Sequence, residues 1–241
     1  MLTEIIYKTE HKTIYRDGNK RVKVFDKSFS KANVLNEALN QARVEETELN
    51  VPKVLAVTMI DDCWAIVAEF IEGKTLDQLI KENPKKTKHY IDLMVDLQLK
   101  MHTQKCPLLP ILREKMMRKI PDESLKYEVH TRFEEVPHND KVCHGDFCPS
   151  NIIITPDGVP YIIDWSHATQ GNSSAEAART YLLYLYNDQK EDGDYYLNRF
   201  CEKANIPRAN VERWLRIVAA AHLTSNDPKE VEFLKHIVDE H

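Results

Sequence analysis

The chain has 241 residues, 42% of them hydrophobic, enough to bury one substantial core or two unequal lobes. Its 33 basic and 38 acidic residues leave a net charge of −5, and no long basic block is present to track a phosphate backbone, which argues against nucleic acid as a partner. The amino-terminal MLTEIIYKTE lacks the pattern of a secretory leader, and no apolar stretch approaches the ~18 residues of a membrane helix, so a cytoplasmic protein without a membrane partner is expected.

The first 70 or so residues read as strands with one helix inserted. Glu4–Tyr7 and Thr13–Arg16 are expected to pair, and the turn Asp17-Gly18-Asn19 leads into a third strand, Arg21–Phe25. Ser30 or Asn33 can cap a helix on which Val34, Leu35, Ala38, Leu39 and Ala42 recur at helical spacing. Val54–Met59 and Trp64–Phe70 read as two further strands. After Glu72-Gly73 the pattern turns helical, with Thr75–Lys81 and then Thr87 to about His102, whose Ile91, Met94, Val95 and Met101 share a side. That shift suggests a division into 1–72 and 73–241. An amphipathic stretch follows at Glu123–Phe133. Ile152–Ile154 and Val159–Ile163 then flank Thr155-Pro156-Asp157-Gly158, whose Pro and Gly positions suit a type I turn. Helices are expected again over Ser174–Tyr186 and Tyr195–Ala204. Another is expected from Pro207 along Val211, Trp214, Leu215 and Val218, and a last one from the capping sequence Asp227-Pro228-Lys229-Glu230.

The segment Val142–Trp165, "VCHGDFCPSNIIITPDGVPYIIDW", holds the chemistry. Asn151 follows Asp146 by five residues, and Asp164 comes thirteen later, across the hairpin. An amide oxygen and a carboxylate brought together by a tight turn suit Mg²⁺, a hard ion that takes oxygen ligands and keeps several waters. Asp146 is then left as a base. The protein-kinase catalytic loop H-R-D-x-x-x-x-N carries the same His, Asp and Asn offsets, with its metal-binding Asp further on. Cys143, His144 and Cys148 have the ligand chemistry of zinc, but the second ligand pair of a structural zinc site is missing downstream, and none of the five cysteines forms a C-x-x-C.

"HGDFCPSN" followed by "IIDW" resembles the motif of aminoglycoside phosphotransferases and their choline- and homoserine-kinase-like relatives. The resemblance implies an α+β, protein-kinase-like bilobal fold, with a small antiparallel-sheet N-lobe holding one helix and a mostly helical C-lobe. It implies transfer of the γ-phosphate of ATP to a small-molecule hydroxyl, with Asn151 and Asp164 on Mg²⁺ and Asp146 near the acceptor. It also implies a phosphate-binding lysine, a helix glutamate paired with it, and adenine bound by backbone near Glu69, Phe70 and Ile71. Among Lys20, Arg21 and Lys23, Lys23 lies between Val22 and Val24 on an alternating strand, and Glu37 is its expected partner ahead of Glu45 and Glu46. His144 is expected to brace the loop.

The sequence departs from the pattern in two places. "YKTEHKTIYRDG" has no glycine before Gly18, so a Gly-rich phosphate loop is missing, and "QGNSSAEAA" puts Asn172 and Glu176 where the resembling family has aspartates. Glu176 reads either as a brace for the loop or as a surface residue at a helix start. No A-P-E triplet or activation segment follows Asp164, which favours a small-molecule acceptor over a protein substrate. The acidic groups Asp188, Glu191, Asp192 and Asp194, with Asp239 and Glu240, suggest an amine-bearing acceptor or a solvated loop. The runner-up reading is a pseudokinase that binds nucleotide without turnover.

Overall fold

The computed structural model describes residues 4–120, 122–135, 140–225 and 227–240, so Met1 to Thr3 of the amino-terminal segment lie outside it, as do the side chains of Arg132, Glu135 and Glu240. In chain order the elements begin with β1 (Glu4–Lys8), β2 (Lys12–Asp17), β3 (Lys20–Phe25), α1 (Lys31–Val44), β4 (Val54–Ile60), β5 (Cys63–Glu69), β6 (Lys74–Thr75) and α2 (Leu76–Glu82). There follow α3 (Thr87–Thr103), α4 (Leu112–Lys119), α5 (Glu123–Glu135), β7 (Lys141–Cys143), β8 (Ile152–Ile154), β9 (Pro160–Ile162) and β10 (Thr169–Gly171). The chain ends with α6 (Ser173–Tyr186), α7 (Lys190–Ala204), α8 (Arg208–Glu212), α9 (Leu215–His222) and α10 (Pro228–Glu240).

Contacts divide the chain into two units. The first comprises the residues up to Gln78 together with Ser150–His167, and the second Leu79–Pro149 together with Ala168 onward. The boundary drawn from sequence at Gly73 followed the change from strand to helix patterning. The contacts instead return the hairpin that carries Asn151 and Asp164 to the first unit, because its strand β8 pairs with β6.

In the first unit an antiparallel sheet runs in the order β1-β2-β3-β5-β4. Ser30, in extended conformation, caps α1 by accepting a hydrogen bond from the Asn33 amide at 3.2 Å. Val34 and Ala38 of α1 bury against Phe25 and Ile66, with Phe29, Val54, Val57 and Trp64 packed around them. The apolar stripe expected on α1 is only half right, since Leu35 and Leu39 are exposed while Asn40 and Gln41 are buried. Gln41 donates to the Pro52 carbonyl at 2.6 Å and Asn40 to the Ser166 carbonyl at 3.3 Å, so these amides satisfy their burial cost through specific partners. A second sheet, β6-β8-β9, includes the expected hairpin, whose turn closes through Gly158 N–H to the Thr155 carbonyl at 2.9 Å. Gly73 leads into β6 where only glycine fits, because a Cβ there would lie 2.3 Å from the Ile154 carbonyl oxygen.

The second unit is helical apart from the short β7/β10 ladder. Ile91, Met94, Val95 and Met101 of α3 are buried as expected, and Tyr196 of α7 donates to Gln98 of α3 at 2.6 Å inside the same core. The single helix expected after Pro207 is broken into α8 and α9, yet Val211, Trp214, Leu215 and Val218 are all buried. Asp227 caps α10 through the Lys229 amide at 2.9 Å. Among the described residues no helix is long and apolar enough to cross a membrane.

Candidate active site

Within the first unit, β2 and β3 pair with Ile14 opposite Lys23, which sets the lysine on the sheet face covered by α1. Lys23 is 2% exposed, and its Nζ lies 2.5 Å from Glu37 Oε1 and 3.3 Å from Asp164 Oδ1. An ammonium this deeply buried is tolerable only when carboxylates repay its desolvation. Glu45, one competitor for this role, instead accepts from the Val54 amide at 2.7 Å at the far end of the helix, and burial raises its pKa.

Asp164 sits in the left-handed region with φ 64°, a conformation that aspartate accepts more readily than most residues. The ladder aligns Ile152 with Ile162, and the Ile163 amide donates to the Asn151 carbonyl at 2.9 Å. The hairpin thereby brings Asn151 beside the residue preceding Asp164. Trp165, fully buried, anchors this strand end by donating from Nε1 to the Ile162 carbonyl at 3.0 Å. Lys12 also reaches this cluster, with its Nζ 3.7 Å from Asp164 Oδ2, and nothing in the sequence reading singled it out.

The connector residues are only partly available for a ligand. The Glu69 amide donates to the Lys53 carbonyl and the Phe70 amide to the Asn19 carbonyl, each at 2.9 Å, whereas the Ile71 amide has no hydrogen-bond partner among the described residues. Arg16 steadies this stretch, with its guanidinium 4.3 Å from the centre of the Phe70 ring and 2.8 Å from Glu72.

The second unit carries His144, Gly145 and Asp146. Glu176, on the first turn of α6, is buried, and its Oε1 accepts from the His144 amide at 2.9 Å and the Gly145 amide at 3.1 Å. Its Oε2 accepts from Gly145 at 3.1 Å. It is therefore a loop brace and not a surface glutamate. Burial raises its pKa, and the negative charge of Asp146 adds to the rise. Asn172 caps the same helix, accepting from the Ser174 amide at 2.8 Å and the Ala175 amide at 3.2 Å. His144 is buried, and its Nδ1 accepts from the Asp146 amide at 3.2 Å, as a structural histidine would.

Two residues near Asp146 escaped the sequence reading. Arg179, three residues after Glu176 on α6, has Nη2 3.8 Å from Asp146 Oδ1 and Nη1 3.0 Å from Glu230 Oε1 of α10. The i, i+3 spacing from Glu176 was a usable signal for Arg179, whereas Glu230 had been read only as a capping-box residue.

Cys143 is buried, with its thiol pushed well above the usual range by desolvation and its Sγ 3.7 Å from the Asn172 carbonyl, and no three His, Cys, Asp or Glu residues gather as a metal site among the described residues. The acidic run is also less open than expected. Glu191 and Asp192 occupy the first turn of α7, where carboxylates complement the helix dipole, and Asp194 is engaged by Arg208 at 2.9 Å, Lys190 at 2.7 Å and Tyr181 at 2.9 Å.

The model of the APH family, the phosphotransferase enzyme family, matches residues 9–216. The chain belongs to that family. As a whole, this phosphotransferase is similar to an apo thermostable mutant of aminoglycoside phosphotransferase APH(4)-Ia, with a TM-score of 0.69 at 14% identity over 99% of this chain and 94% of that one. It is similar also to choline kinase LicA from Streptococcus pneumoniae, with a TM-score of 0.64 at 18% identity over 98% and 93% of the two chains. A third likeness is to aminoglycoside phosphotransferase APH(3'')-Id from Streptomyces rimosus in complex with ADP and streptomycin, with a TM-score of 0.63 at 18% identity over 87% and 90%. No curated protein sequence matches the chain. The fold expected from the motif, an antiparallel sheet with one helix followed by a mostly helical remainder, is the one these proteins share.

Proposed function

We propose that the chain is an ATP- and Mg²⁺-dependent phosphotransferase that moves the γ-phosphate to a hydroxyl of a small molecule such as an aminoglycoside, an amino alcohol or a sugar. The observation that carries this reading is the buried Lys23, held by Glu37 and Asp164 on the sheet face under α1. Lys23 is assigned to the phosphates and Glu37 to orienting it. The amide oxygen of Asn151 and the carboxylate of Asp164, on residues that the hairpin draws together, are the oxygen donors that suit Mg²⁺, an ion that completes its shell with phosphate and water. When bound, Mg²⁺ supplies charge neutralisation at the β- and γ-phosphates.

Asp146 is assigned to the acceptor. Its carboxylate takes or orients the hydroxyl proton as the oxygen attacks phosphorus and the bond to the ADP oxygen breaks. Glu176 keeps the loop that carries it in place through the His144 and Gly145 amides. Adenine is assigned to the Glu69–Ile71 connector, where the Ile71 amide is the donor still open. The ADP and streptomycin of the Streptomyces relative support nucleotide use and a small-molecule acceptor. The proposed setting is the cytoplasm.

The test is turnover of ATP with Mg²⁺ across a panel of amino alcohols, sugars and aminoglycosides, with Asp146→Asn measured beside the wild type. Acceptor-dependent ADP formation that falls at least ~100-fold in Asp146→Asn is expected, the range for loss of a general base. ATP binding with no acceptor turnover above the variant would give the chain to the pseudokinase reading.

A further inference from the structure

The connection between β1 and β2 contains no glycine, and its polar groups close on the chain itself. The Thr9 amide donates to the Lys12 carbonyl at 2.9 Å, and the Lys12 amide donates to Thr9 Oγ1 at 3.2 Å. His11 is tied to Asp26 at 2.8 Å. A phosphate grip made of glycine amides therefore has no counterpart in this connection.

The next side chain offers another donor. Lys12 pairs with Phe25 across the β2/β3 ladder, and Ile14 pairs with Lys23, so Lys12, Ile14, Lys23 and Phe25 share one face of the sheet. On that face the two lysines converge on one carboxylate, Lys23 at 3.3 Å from Oδ1 and Lys12 at 3.7 Å from Oδ2 of Asp164. Lys23 has Glu37 as a second partner. Among the described residues, Lys12 has no carboxylate within ion-pair distance except Asp164. Two ammonium groups on one face, both sharing a carboxylate that also has the chemistry of a metal ligand, are charged donors for the oxygens of a polyanion once that carboxylate is taken up by a cation.

We propose that Lys12 is a second phosphate-binding lysine, donating to the β- and γ-phosphoryl oxygens of the nucleotide where glycine amides would otherwise do so. The assignment rests on the reading of the Lys23 and Asp164 face as a nucleoside triphosphate site. The competing role is a plain counter-ion for Asp164.

Calorimetric titration of ATP, ADP and AMP, with and without Mg²⁺, separates the two in the wild type, Lys12→Met, Lys12→Gln and Lys12→Arg. The expected result is about tenfold weaker ATP binding in the Met and Gln variants, the loss of one charge-assisted hydrogen bond, with AMP affinity unchanged. The ratio of ATP to AMP affinity thus falls, in Mg²⁺-free buffer as well, and Lys12→Arg keeps most of it. An ATP to AMP ratio that stays at the wild-type value in both neutral variants, or that changes only when Mg²⁺ is present, overturns the assignment while leaving the nucleotide site standing. A wild type that does not prefer ATP to AMP defeats the parent reading, and this one with it.

Discussion

Glu176→Ala tests how firmly the His144–Asp146 loop is held. The substitution leaves the His144 and Gly145 amides without the oxygens they now donate to at 2.9 and 3.1 Å, in a place where Glu176 itself is 3% exposed. Each orphaned buried donor costs about 1–3 kcal/mol, and relief of the carboxylate's desolvation returns part of that, so a net loss of about 2–4 kcal/mol is expected. Glu176→Gln behaves differently. An amide oxygen at the Oε1 position keeps both donors satisfied and forfeits only the second contact of Gly145, which relief of the carboxylate's desolvation offsets in part, for a loss of at most about 1 kcal/mol. Urea titrations give the stabilities, and amide hydrogen exchange at His144 and Gly145 reports the loop directly. The pH dependence has a defined sign. Because the folded state raises the pKa of Glu176, its ionised form costs stability at neutral pH, and that cost is relieved as pH falls through the folded pKa toward the ordinary value of 4.5. The wild type should therefore gain on Glu176→Gln over that interval. An alanine variant within about 0.5 kcal/mol of wild type, the range of ordinary surface changes, with unchanged exchange at the two amides, would refute the reasoning.

Two other perturbations follow from buried charge. His102 lies in the second-unit core with neither ring nitrogen hydrogen-bonded among the described residues, and burial pushes its pKa down to about 3. Since its unfolded value is 6.5, the folded state resists protonation. Stability should fall below about pH 6.5 by up to ~1.4 kcal/mol per pH unit, and acid titrations of His102→Leu should lack that component. Glu37→Ala strips Lys23 of its 2.5 Å partner and leaves Asp164 to hold a 2% exposed lysine. Thermal and urea unfolding should show a loss approaching the ~3–5 kcal/mol seen when a buried pair is broken, with Glu37→Gln losing less.

Much of the fold was legible because its elements carry their own signals. The β2–β3 turn, the α1 cap and the hairpin at Thr155–Gly158 are written in Gly, Ser and Pro positions, and all three form. The resemblance called for a lysine and a helix glutamate, strand alternation chose Lys23 among its basic neighbours, and Lys23 and Glu37 do pair at 2.5 Å. What escaped depends on partners distant in sequence. Asn40 and Gln41 look like surface residues until the Ser166 and Pro52 carbonyls meet them. The strands β7 and β10, at three residues each, are too short to show a period, and β7 lies within the motif itself. Helix α4 is only eight residues long, lies between two proline-marked stretches and buries Met116 alone, so its period is too short to stand out. Lys12 carries no signal of its own, because the partner that marks it, Asp164, is far away along the chain.

The contact units also bear on how this protein can be cut and recombined. The chain leaves the first unit after Gln78, re-enters it at Ser150 and leaves again after His167. A fragment ending at Gln78 would hold β6 without its partner β8, and α1 without the Ser166 carbonyl that Asn40 binds. The first unit is therefore not a transferable cassette. An exchange between relatives must carry two separate stretches, and a fragment spanning only one of them should remain unfolded until the other is supplied.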